Sequence, residues 1–477
     1  MSALRSLFTR VIVVGMLPMF SAAAQQVPAA GALPAIRPLG KAKATSADLL
    51  GAVSQVRALP DGRVLVNDNL GRKVVLYDAA LKTATIVADT TSATGNAYSS
   101  RAGGLIAYKG DSTLFVDPTS LSMLVIDPKG QVTRVISVPR PQEANALIGG
   151  PNGTPGFDAQ GRLVYRGNPN IRFAGPGPGA NGGAPGVIQM PTFPESSAVV
   201  RIALDTRKVD TVGFVKIPKQ NISMSQGADG RMSVTATINP LPVIDDWAVS
   251  SDGRVAIVRG QEYRVDWYGA TSDVIGTNKI PFAWKHLDDS MKVALLDSTK
   301  AAMEVLRQQA LSRAQSGGGV DIAGMAAAAG MAGAVPAGGE RMVMEFRAGG
   351  GGGDRAPAAR GADAGAGGRG APGAIGGIQI PPLQMVNPSE LPDYAPPFTG
   401  GSVRGDLDGN LWVRTTNTFS NGSVYDIINA KGELTDRVLL PPGRVIAGFG
   451  KGVVYMGVRE GAGGVRLEVA PIRGATP

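Results

Sequence analysis

"GFDAQGRLVYRG", residues 156–167, sets short apolar runs on either side of a Gln-Gly turn, and the chain repeats that arrangement. "LPDGRVLVND" (59–68), "SSDGRVAIVRG" (250–260) and "GDLDGNLWVRT" (405–415) each place Asp-Gly before an alternating run rich in β-branched or aromatic residues. That is the pattern of a strand leaving a tight turn. A second pair of strands follows around a Lys-bearing turn, as in "KVVLYDAALKTATIVAD" (73–89), "SMLVIDPKGQVTRVISVP" (122–139) and "SVYDIINAKGELTDRVLLP" (423–441). One unit therefore holds four short antiparallel strands in about 35 to 45 residues, the size of a propeller blade.

Six units are countable, so the fold class is all-β, a six-bladed β-propeller. Blade one runs from Gly51 to Asp89, blade two from Gly104 to Pro139, and blade four from Asp245 to Pro281. Blade three joins "TPGFDAQGRLVYRG" to "AVVRIALDTRKVDTVGFVKIP" across a long excursion. Blade five begins at "GSVRGDLDGNLWVRT". Blade six, "RVIAGFGKGVVYMGVREGAGGVRLEVAPIR", has only three strands, and "AIRPLGKAKA" (35–44) is expected to supply the fourth, which also hides an edge.

These repeats, above all "LPDGRVLVND" and "DLDGNLWVRT", resemble the exported bacterial six-bladed propellers of the NHL and TolB-like superfamily. The resemblance covers most of the chain beyond its first residues and implies the fold. It does not imply one activity, because such folds carry many functions.

The N-terminus has a signal-peptide layout. Arg5 and Arg10 precede the apolar run "VIVVGMLPMF", and "SAAAQQ" offers a small-residue cleavage point between Ala24 and Gln25. The run is too short to span a bilayer, which needs roughly 20 apolar residues. The expected organisation is a signal peptide (1–24), blades one to four (25–281), an insertion (282–399) and blades five and six (400–477), located in the periplasm or secreted, with no transmembrane segment after cleavage. Net charge is +9, or +7 without Arg5 and Arg10, and the basic residues are scattered, which argues against nucleic acid as a partner. The absence of cysteine excludes disulfides, thiolate metal sites and thiol nucleophiles. His286, the only histidine, excludes a three-histidine zinc site and is read as a surface or capping residue.

Three long departures fall on one face of the disc, here called the top, which carries the second-to-third strand turns and the links between blades. They are 167–196, 219–243 and 282–399, and the middle one is too weakly patterned to be a blade. The last divides into an expected helix (285–315), a Gly/Ala-rich stretch expected to be disordered (316–377) and a Pro-rich return. Leu287, Met291, Ala294, Leu295, Ala302, Val305 and Leu306 form the apolar stripe expected on that helix, which is either a lid or a prop for the disc edge. The Gly-rich stretch has no phosphate-loop signature, so no nucleotide is expected, and no haem motif occurs.

Aligning the repeats places Asn67, Asp117, Arg166 and Arg414 at equivalent ends of the second strands, around the top mouth of the central channel. Arg259 is offset by one residue, as a bulge would produce. Arg101, Asn152, Asp245, Asp246 and Arg404 are expected at the starts of the inner strands. An arginine-rich mouth suits an anion or carbohydrate, because the guanidinium fork matches carboxylate and phosphate. The same residues can instead serve as ties between blades. The leading expectation is a non-enzymatic protein that binds a small molecule, a glycan or an envelope protein through its top face. The alternative follows from a distant similarity to gluconolactonase-like propellers, whose metal set is Glu, Asn and Asp. It is a Ca²⁺-type lactonase or hydrolase with Asp245 or Asp246 as ligands, beside Asn67 or Asn152. This chain has no Glu at the matching early inner-strand position.

Overall fold

The recurring turn is closed by a carboxylate and a glycine. Asp61 accepts hydrogen bonds from the Arg63 backbone N–H (3.0 Å) and Nε (2.7 Å), and Asp252 repeats both with Arg254 at the same distances. Asp158 holds Arg162 in the same way, at 2.9 and 2.7 Å. Asp406 takes the Asn410 N–H (2.8 Å) and the Trp412 indole N–H (3.0 Å). Gly62, Gly161, Gly253 and Gly409 all adopt φ between 72° and 87°, where a Cβ would be strained. The repetition in sequence is the repetition of one hairpin.

The structure, a computed structural model, describes residues 33–91, 97–99, 103–169, 172–173, 191–219, 221–226, 232–271, 273–315, 374–375, 378–379, 384–460 and 464–472. The expected signal peptide, Arg101 and most of the Gly/Ala-rich stretch lie outside them. The described residues form six antiparallel blades. Blade one comprises Val53–Ala58, Val64–Asp68, Lys73–Tyr77 and Ala84–Asp89, and blade two Gly104–Ala107, Thr113–Asp117, Ser122–Ile126 and Val132–Ser137. Blade three comprises Gly156–Phe157, Leu163–Arg166, Ser196–Ile202 and Val209–Lys216, and blade four Asp246–Val249, Val255–Arg259, Arg264–Tyr268 and Val274–Gly276. Blade five comprises Phe398–Gly405, Leu411–Phe419, Gly422–Ile428 and Leu434–Leu440, and blade six Arg444–Gly450, Val453–Arg459 and Val465–Pro471.

The closing segment is shared between two blades, a correction to the expectation. Ala44–Thr45 pairs antiparallel with Val465–Pro471 and completes blade six. Ile36–Pro38 pairs in parallel with Leu434–Leu440 as a fifth strand of blade five, fastened by an Arg37–Asp436 ion pair. The core lies between neighbouring blades. Trp412 of blade five is fully buried against Phe449 of blade six, with ring centroids 5.1 Å apart, and Trp247 and Trp267 of blade four are equally hidden. Burying such rings is the main favourable term in folding.

The insertions also depart from expectation in detail. The stretch after blade three forms a hairpin, Asn221–Gln226 with Met232–Ile238, to which Gln384–Met385 adds a parallel strand. The helix spans Asp289–Gln315, with Asp288 accepting the Met291 N–H (2.8 Å) at its start. His286 precedes it, exposed and bridged to Tyr394. The buried face is Lys292, Leu296 and Met303, whereas Met291 and Val305 of the expected stripe are exposed. Leu296 packs with Val386 and Leu391 of the return segment. Lys292 is buried because its Nζ donates to Asp393 (2.7 Å), a partner remote in sequence. Among the described residues no helix is long and apolar enough to cross a membrane.

Candidate functional site

The inner strands of all six blades surround a cavity of about 900 Å³. At the top, the link from blade two to blade three crosses the channel. Its residues 148–153 touch the inner strands of four blades. A Cβ on Gly104 of blade two would meet Ile148, and one on Gly149 would meet Gln55 of blade one. A Cβ on Gly401 of blade five would lie 3.1 Å from the Gly150 carbonyl oxygen, and Trp247 of blade four donates its indole N–H to the Asn152 carbonyl (2.8 Å). The other end lies among first-to-second strand turns, where Lys109, Gln160, Ser251 and Leu407 are exposed. Residues 148–153 therefore stand as a cap over the top end of this central well, where an open mouth was expected, and exposed turn residues line its bottom end.

The predicted ring residues divide into ties and a cluster. Asn67 is buried and donates to the Gly103 carbonyl (2.7 Å), joining blades one and two. Asp117 accepts from Thr119 and Ser120 of its own turn and from Ser99 of the link between blades one and two. Asp245 accepts from the Lys216 and Gly260 N–H groups (3.0 and 3.2 Å) and pairs with Arg259 (2.8 Å), which also pairs with Asp266 (2.7 Å). The ladders around Arg259 run without a register shift, so no bulge accounts for its offset.

The cluster gathers Asn152, Arg166, Asp246, Arg404 and Arg414. Arg166 is buried and donates to the Asn152 side-chain oxygen, with Asp246 as its nearby counter-charge. Asp246 is buried, and its oxygens accept the N–H groups of Trp247 (2.9 Å), Ser402 (2.7 Å) and Val403 (2.9 Å). Burial pushes its carboxyl up to about 6, against the pull of those bonds and of Arg166. Arg404 sits near the end of the inner strand of blade five, not at its start as expected, and it lines the cavity. It is half-buried, it feels Asp246 and Arg414 electrostatically, and among the described residues it has no hydrogen-bond or ion-pair partner. Arg414 is exposed above it.

The sequence reading missed Arg57. Arg57 and Arg404 each stand four residues before the Asp of an Asp-Gly turn, so a comparison of "RALPDG" with "RGDLDG" finds the pair. Arg404 feels the charges of Tyr425, Arg414 and Asp246, and Arg57 that of Asp111 at the turn end. Arg57 donates to the Ala58 carbonyl (2.6 Å), while its buried Nε has no partner. Burial draws both guanidinia below their ordinary value, yet an arginine keeps its charge in a protein. The carboxylates that line the well are engaged elsewhere, Asp158 by Arg162 and Asp406 by Trp412 and Asn410. Unpaired cations in a partly dehydrated well attract an anion. Among the described residues no group of three or more His, Asp or Glu side chains is arranged to hold a metal ion.

No known family profile matches the chain, and no curated protein is significantly similar in sequence. Solved structures are similar at low identity. A gluconolactonase of Xanthomonas campestris is 8% identical over 91% of this chain and 99% of its own, with a TM-score of 0.35. The PQQ-bound aldose sugar dehydrogenase of Streptomyces coelicolor is 11% identical over 92% and 99%, at 0.35. A virginiamycin B lyase of Staphylococcus aureus is 9% identical over 90% and 87%, at 0.31. Likeness at this level says nothing of the site; the six blades rest on the strand ladders themselves.

Proposed function

We propose that this propeller binds a small anionic, hydroxyl-bearing molecule, a sugar acid or phosphosugar, in its central well and does not transform it. Arg404 carries the reading: a half-buried guanidinium that lines the well and, among the described residues, has no hydrogen-bond or ion-pair partner. Arg57 supports it with an unpaired Nε in the same well. The well is within the size of small-molecule sites, which run to roughly 1,000 Å³. We place this binding outside the cytoplasm, on the layout of Arg5, Arg10 and the apolar run after them.

Calorimetric titration with glucuronate, glucose 6-phosphate and glucose tests the reading. At least one of the two anions binds, and glucose binds at least about tenfold more weakly. Arg404→Ala weakens the anion by about tenfold or more, the size expected for a charged hydrogen bond, with an unchanged melting temperature. An Arg404→Ala protein that binds the anion as tightly as the parent would refute the assignment.

A further inference from the structure

A second cavity, of about 580 Å³, adjoins the well at its open end, against blades two and three, and Tyr108, Lys109, Gln160 and Gly161 line both. Four cations, Lys109, Arg134, Arg162 and Arg207, line it with the single carboxylate of Asp205. Arg162 is paired with Asp158 and Asp210 (2.7 and 3.4 Å). Among the described residues Arg134 reaches only the Tyr108 hydroxyl (3.3 Å), and Arg207 only Ser137, at 2.7 Å to its hydroxyl. Among the described residues Lys109 has no ion-pair partner, and it stands over Gly161 on the shared rim. Unpaired cations thus continue outward from Arg404 through Arg57 and Lys109 to Arg134 and Arg207.

The rim also carries an apolar surface. The Tyr108 ring lies 5.2 Å from that of Phe157, centroid to centroid, and both are half-buried. The C–H face of a sugar ring packs on such a surface, while guanidinium and ammonium groups take its carboxylates. Both rings pack against the buried core on one side, and a polyphosphate would satisfy the charge without using their half-exposed faces.

We propose that the ligand is an acidic oligosaccharide of at least two residues, with its end in the central well and its following residues along the trough between blades two and three. This deepens the reading of the well and rests on it.

The test is a titration with oligogalacturonates of one to four residues, with maltotetraose and inorganic polyphosphate as comparators. Affinity should rise by about tenfold from one residue to three or four, weaken with added salt, and exceed that for either comparator. The variant Arg134→Ala/Arg207→Asn should lose the gain with length and keep the affinity for the monomer. Both side chains are exposed, and Asn tolerates the φ of 58° at position 207, so the fold should survive; a melt verifies this. Equal affinity at every length, a gain with length that persists in the variant, or tighter polyphosphate binding overturns the trough and leaves the well standing. Failure of the monomer and every oligomer to bind strikes the reading of the well, and the trough falls with it.

Discussion

Asp246 is a carboxylate whose charge costs stability. Burial holds it up to about 6 against an ordinary 3.8, so in the interval between those values the folded protein keeps a proton that the unfolded chain has released. Stability from this group is therefore present at the acid end and lost as pH rises through the interval, by roughly 3 kcal/mol at 1.36 kcal/mol per pH unit. In Asp246→Asn the amide NH₂ meets backbone N–H donors, and the variant should be less stable than the parent. The gap should widen from pH 7 to pH 4.5 in urea unfolding, because only the parent gains on acidification. Asp426, also buried and pushed up to about 6, titrates in both proteins and cancels in the comparison. A gap that stays constant would mean that Asp246 does not titrate in this range. Asp245 and Asp246 were readable as adjacent carboxylates; their bonds to Arg259, Gly260, Ser402 and Val403 were not, because those partners come from other strands and another blade.

The cap over the well depends on glycine. Gly153 has φ 91°, and a Cβ there would overlap the Trp247 indole, which itself bonds the neighbouring Asn152 carbonyl. Gly150 has φ 81° with open space around it. Gly153→Ala should therefore cost about 2–3 kcal/mol from overlap and backbone strain together, and Gly150→Ala only about 1 from backbone strain. Equal losses in chemical unfolding would show that the packing of the cap on Trp247 contributes little. Nothing in "LIGGPNG" announces a cap, because its contacts belong to four different blades. The turn sentences were legible for the opposite reason: Asp61 and Arg63, or Asp252 and Arg254, make their bonds within two residues. The helix lies between these cases. Its existence is local, but its buried face follows Asp393, about a hundred positions away, and the expected stripe missed Lys292 and Leu296.

At the scale of the whole molecule, the ring is fastened by strands near the start of the described chain, Ile36–Pro38 on blade five and Ala44–Thr45 on blade six. The expected cleavage after Ala24 would leave both strands in place. N-terminal sequencing of protein recovered from the medium or periplasm should therefore begin at Gln25; a start beyond Ile36 would contradict the signal-peptide reading and remove a fastening strand. Six blades were countable because each repeats one hairpin, whereas the division of the closing segment between two blades depends on pairing across nearly the whole sequence. The cap has a consequence for how a polymer would be sensed. A blind well admits a chain only by a terminus, so the molecule would count chain ends rather than polymer mass. A sample of long chains would present few binding equivalents per gram, and each cut in those chains would create a new one.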